Sequence, residues 1–144
     1  MLEAMKEYSV GRGTDMPLEQ IGATWIDGAK LSAYMNERAI PGVHAFPMTM
    51  EPSSSIAAGT RIGGIRFAVL DRDHFNAVSF GIELASALRH LYPTKVDFEG
   101  SKNLIGNRAA IDALKKGEDP KAINVRIQLQ LEPFLERRSK FLLY

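Results

Sequence analysis

The pattern of hydrophobic and polar positions changes period near the middle of the chain. Over residues 43–50, His44, Phe46, Met48 and Met50 alternate with Val43, Ala45 and Thr49, the period-2 pattern of a strand. Pro47 lacks a ladder donor and confines that strand to an edge or a bulge. Residues 62–70 (IGGIRFAVL) give the best strand, with Ile65, Phe67 and Val69 on one face. Its Gly63-Gly64 pair marks a bulge or a close backbone approach. Later the period lengthens. Val78, Ile82, Ala85, Leu88 and Leu91 recur three or four apart and predict a helix over 76–92, stopped by Pro93. A further helix spans 107–116, with Asn107 as cap, Lys115-Lys116 in the last turn and Gly117 beyond it. Asp119-Pro120 opens the last helix, where Ile123, Ile127, Leu131, Phe134 and Leu135 form the apolar stripe. Pro133 is expected to kink or split it near Leu131.

The first half holds two shorter helical signals. Asp27 opens a helix through about Arg38, with Leu31, Tyr34 and Met35 on one face and Pro41-Gly42 at its end. Residues 14–20 (TDMPLEQ) read as a short helix start, since Pro17 is tolerated in a first turn. Residues 1–10 fit either an N-terminal strand or the interior of a longer protein. Strands therefore cluster early and helices late. The expected class is α+β: one domain, with a small, mostly antiparallel sheet in the first half packed by helices mostly in the second.

Composition narrows the functional classes. At 144 residues and 45% hydrophobic, the chain is long enough to bury the core of one domain. It has no cysteine, which excludes disulfides and cysteine metal sites. Eighteen Lys and Arg against 17 Asp and Glu leave +1, with no basic stripe, and this argues against a nucleic-acid partner. No apolar run approaches the roughly 18 residues of a membrane span.

Candidate chemistry is sparse. Gly11-Arg12-Gly13-Thr14 places an arginine between two turn-permitting glycines, before the expected helix start. That pattern fits an anion site, or an ordinary turn with a solvated arginine. His44, His74 and His90 sit on different elements without ligand spacing, so no metal and no cofactor is expected. Ser53-Ser54-Ser55 lacks a nucleophile elbow and reads as a polar loop. Asp71-Arg72-Asp73 reads as a turn. Trp25 and Tyr34 fit a sugar-stacking platform or, more simply, core. Glu3, Glu19, Asp27 and Asp71 are available acids, but no spacing nominates a catalytic pair.

Read together, the strings resemble one family. Ser9-Val10-Gly11-Arg12-Gly13-Thr14-Asp15, Pro17-Leu18-Glu19-Gln20-Ile21-Gly22-Ala23 and Trp25-Ile26-Asp27-Gly28 form an extended signature. It continues through Ile40-Pro41-Gly42-Val43, Pro52-Ser53-Ser54-Ser55, Gly63-Gly64-Ile65-Arg66, Asp71-Arg72, Leu91-Tyr92-Pro93 and the closing Phe141-Leu142-Leu143-Tyr144. The order and spread resemble the exo-β-N-acetylmuramidases, over nearly the whole chain. Ile56 and Ile62 depart from that pattern, which often has lysine and cysteine there.

The resemblance implies that residues 1–144 are a C-terminal auxiliary domain. Its partner would be an N-terminal Rossmann-like domain that holds the catalytic acid, with the substrate cleft between the two. It also implies a glycoside hydrolase acting on muramic-acid-containing sugars of peptidoglycan, in a family generally exported. The chain alone is then expected to be inactive, with substrate contacts at Arg12, Thr14, Trp25 and Arg66. Arg12 would meet the lactyl carboxylate that separates N-acetylmuramic acid from N-acetylglucosamine. The alternative is a free-standing, non-catalytic binding module of the same fold.

Overall fold

A computed structural model describes residues 7–143. Three strands, β1 (Gln20–Ala23), β2 (Val43–Met50) and β3 (Ile62–Val69), form one antiparallel sheet in the order β1-β3-β2. The helices are α1 (Gly28–Glu37), α2 (Ala77–Leu91), α3 (Lys102–Ile105), α4 (Arg108–Lys116) and α5 (Pro120–Ser139). A short 3-10 turn, Glu99–Ser101, precedes α3. The class is α+β, as the change of period implies.

Alternation sorts the sheet into two faces. Ile21, Ala23, Ala45, Ile65 and Phe67 share the inner face by register. Leu31 and Met35 of α1, with Phe80, Leu84 and Leu88 of α2, complete the core against it. Gly63 and Gly64 pair without interruption on both sides, so they form no bulge. Their purpose is close approach: a Cβ on Gly64 would lie 1.9 Å from the Ile21 carbonyl oxygen. A Cβ on Gly28 would lie 2.2 Å from the Gly64 carbonyl oxygen, so α1 can start hard against the sheet only through glycine.

Local capping sets the helix starts. Asp27, Asn76, Asn107 and Asp119 each accept a backbone N–H of the first turn. Gly117 ends α4 in the left-handed region, φ 74°. β2 is an edge strand, which explains why Pro47 is tolerated. Its outer edge is closed by Asn36, whose side chain accepts from Ala45 N and donates to Ala45 O, both at 2.9 Å. Arg38 ties three helices together, donating to the buried Glu83 at 2.8 Å and to Asp119 at 3.1 Å.

Several expectations are corrected. In place of the helix start expected over 14–20, residues 14–19 form turns and Gln20 enters the sheet, because Gly11 and Gly13 (φ 77° and 81°) reverse the chain. Leu18 takes φ 69°, incompatible with a helix, and its N–H donates to Val10 O. Val78 is 56% exposed and lies off the buried stripe of α2. α5 runs unbroken through Pro133, since the carbonyl that the proline leaves without a donor sits on a wholly exposed stretch. Of its expected apolar stripe, Ile123 is buried and Ile127 half-buried, while Leu131, Phe134 and Leu135 lie in solvent. β1 and the helical turns at 99–105 carry no sequence pattern strong enough to anticipate. Most of the 1–10 segment lies outside the described residues; within it, Ser9 bridges Gly22.

Candidate functional site

The outer face of the sheet carries the functional candidates. By register, Gln20, Arg66 and Phe46 stand side by side across β1, β3 and β2. Gln20 is buried, while Arg66 and Phe46 are exposed. Along β3, the residues flanking Arg66 on this face are Gly64 and Ala68, both small. Among the described residues, the Arg66 side chain makes no ion pair or hydrogen bond.

The 11–19 turn reaches this face through Gln20. The Gln20 Nε2 donates to Thr14 Oγ1 at 2.6 Å. The same hydroxyl donates to Gly11 O at 2.7 Å and accepts Met16 N at 3.2 Å. Thr14 thus spends its hydrogen-bonding capacity on shaping the turn that presents Arg12. The serine loop holds the turn from the other side, with Ser53 N and Oγ both donating to Gly13 O (2.8 and 2.9 Å). Arg12 is exposed at the tip. No helix follows it, so the positive end of a helix dipole is not part of the arrangement.

Trp25 sits elsewhere. It leaves the Ala23 end of β1, opposite the Gln20 end, and packs half-buried against the core. Its Nε1 donates to Glu7 O at 3.1 Å, and its ring meets Tyr92 edge-on at 5.1 Å. Tyr92 Oη accepts Asp27 N at 3.0 Å, and burial raises the Tyr92 phenol pKa above its ordinary value. The structure thus brings Arg12, Thr14 and Arg66 to one side of the domain and places Trp25 at another corner.

Other titratable groups are dispersed. His74 pairs with Asp71 at 2.8 Å, and that hydrogen bond holds the Asp71 carboxyl below its ordinary range. His90 stacks on Tyr34 at 5.2 Å, and His44 meets the Phe46 ring at 4.7 Å. Among the described residues, no group of three or more acidic or histidine side chains could hold a metal. A cleft of about 450 Å³ between α1, α2 and the α4–α5 turn is lined by Arg38, Arg89, His90 and Lys116, among others. Arg89, His90 and Lys116 stand in last helical turns, where they offset the dipoles of α2 and α4. An apolar groove of about 390 Å³, lined by Val10, Leu18, Phe67, Phe75, Phe80 and Leu84, lies beside the 11–19 turn.

Comparison with known proteins bears on all of this. The family model described as "Exo-beta-N-acetylmuramidase NamZ, C-terminal" matches residues 1–144. The chain belongs to this family. It is 32% identical over 139 residues to the peptidoglycan β-N-acetylmuramidase NamZ of Bacillus subtilis (strain 168), a match covering 94% of this chain and 34% of that protein. A crystal structure of a DUF1343 family protein from Bacteroides fragilis shares the fold, with a TM-score of 0.70 at 20% identity. That match covers 99% of this chain and 39% of that one. The chain thus spans about a third of the length of the relative it matches.

Phe46 is the residue that sequence reasoning passed over. It reads there only as one position of an alternating strand, and its partnership with Arg66 follows from register. The available signal was the proline next to it. Pro47 marks an edge strand, and an aromatic residue on the open face of an edge strand stands out to solvent.

Proposed function

We propose that this chain is the auxiliary domain of an exo-β-N-acetylmuramidase-like glycoside hydrolase of peptidoglycan fragments. Its partner is a Rossmann-like domain of the same polypeptide, and it walls one side of the substrate cleft between them. The observation that carries this reading is the family match over residues 1–144, against a relative of which the chain spans only 34%. The dispersal of carboxylates agrees with it, since glycoside hydrolysis ordinarily needs two that flank the bond. Asp71 is engaged with His74, Glu83 with Arg38 and Asp119 with both Arg38 and Lys121 N. The apolar groove beside the 11–19 turn supports the reading that this side of the domain faces another one.

Arg12 and Arg66 are the substrate contacts in this reading, and Thr14 acts by fixing the turn. N-acetylmuramic acid differs from N-acetylglucosamine by a carboxylate, which a planar guanidinium binds through two parallel hydrogen bonds. Trp25 braces the corner with Tyr92 and stays with the domain's own packing.

Activity is the test. The purified 144-residue chain should release no N-acetylmuramic acid from a chromogenic muramide. Turnover that disappears on replacing Glu19 or Asp71 would overturn the auxiliary role.

A further inference from the structure

We infer that the Phe46 ring is a stacking platform for the pyranose of a carboxylate-bearing sugar, with the Arg66 guanidinium on the carboxylate. The inference rests on the muramidase reading and adds to it a residue and a place: the open face of the sheet.

Four observations converge on that place. Phe46 and Arg66 are directly opposed in an antiparallel pair, which sets their Cβ atoms about 4.5–5.5 Å apart. One ligand can therefore touch both. Phe46 is 46% exposed, so a large part of the ring is available for contact. Arg66 has no partner among the described residues, and its cross-strand neighbours are uncharged; the Gln20 amide is already engaged by Thr14. Its charge is thus available to a carboxylate.

Finally, the ring is braced. His44, two residues away on the same face, meets Phe46 edge-on at 4.7 Å and 61°. His44 is itself held by Asn36, at 3.2 Å from Nδ2 to Nε2. The same Asn36 closes the edge of β2, so the platform inherits the rigidity of the strand.

The chemistry selects the ligand. An aromatic face receives an apolar ring face, and the axial C–H groups of a pyranose provide one. An uncharged sugar would use Phe46 alone; one with an acidic substituent would use both residues. Gly64 and Ala68, which flank Arg66 on this face, are both small, so no bulky side chain of β3 stands next to the guanidinium. A flat aromatic pair of two chains would not need the unpaired cation.

Titration of the 144-residue chain with N-acetylmuramic acid and N-acetylglucosamine, followed by NMR, tests the platform. The wild-type chain should favour N-acetylmuramic acid. Phe46→Ala should weaken both sugars by about tenfold, while Phe46→Trp should preserve both. Arg66→Gln should weaken N-acetylmuramic acid roughly tenfold or more and leave N-acetylglucosamine unchanged. Equal loss in the Ala and Trp variants would make Phe46 structural and overturn the platform. So would binding that Phe46→Ala leaves untouched, although the muramidase reading and the arginine contacts would then stand. A wild-type chain that binds neither sugar would overturn the platform and the sugar-contacting role of this domain together. The turnover assay judges the muramidase reading separately.

Discussion

The two faces of the three-stranded sheet are built from adjacent residues and obey different rules. Ile65 is fully buried, and its neighbours Ile21, Ala45 and Phe67 on the inner face meet two helices. Arg66, one residue on, points the other way and is exposed. The inward positions that pack, Ile21, Ala23, Ala45, Ile65 and Phe67, are all apolar and are fixed by volume. The outward row mixes an amide, a guanidinium and an aromatic ring, a combination with little value for packing. Around Arg66, period 2 thus separates what holds the domain from what the domain offers, while at the Met50–Ile62 end of the sheet both faces are buried. Residues 64, 65 and 66 sample the whole contrast within three positions, and substitutions there can break it.

The largest effect belongs to Gly64→Ala. A Cβ there would meet the Ile21 carbonyl oxygen at 1.9 Å and the Gly22 Cα at 2.7 Å, both backbone atoms that cannot swing aside. Pairing of β1 with β3 would have to open. The expected loss is about 4 kcal/mol or more, enough to leave a marginal domain unfolded, read by circular dichroism and urea titration. Ile65→Ala comes next. It removes a side chain with 0% exposure from the centre of the core, and the expected loss is about 2–5 kcal/mol with the fold retained. A loss below about 1 kcal/mol at Ile65 would mean that the inner face is loosely packed and that the contrast fails.

How much of this was legible beforehand follows from which interactions are local. α1, α2, α4 and α5 begin at Asp27, Asn76, Asn107 and Asp119, side chains that reach only two or three residues ahead. β2 and β3 alternate over eight residues each, long enough to show their period. β1 has four residues, Gln-Ile-Gly-Ala, and is a strand only because β3 supplies its partners. The same limit applied to the 14–20 segment: Pro17 and Thr14 suit a helix start, but the bonds of Thr14 to Gly11, Met16 and Gln20 close a turn instead.

In α5 the stripe was legible, but its cover was not. Ile123 is buried and Leu131, two turns further along the same stripe, is 37% exposed, because the body of the domain ends between them. Among the site candidates, Arg12 and Arg66 could be named from the strings that carry them. Phe46 required the register, since a sequence shows that a side chain alternates but does not show which residue will stand beside it.

The smallest effect on stability is expected at Arg66. Removing one member of a buried ion pair is costly because the other is left uncompensated. Arg66 leaves nothing behind: no side-chain partner among the described residues, an uncharged residue on either side, and an exposed site. Arg66→Gln keeps much of the aliphatic stem and removes only the charge and the fork. Its unfolding free energy should therefore stay within about 0.5 kcal/mol of wild type, measured by urea titration at neutral pH. A loss above about 1 kcal/mol would assign Arg66 to the scaffold and erase the distinction between the two faces. An unchanged value, beside the drop at Ile65, would show a cation maintained in the central strand for something other than folding.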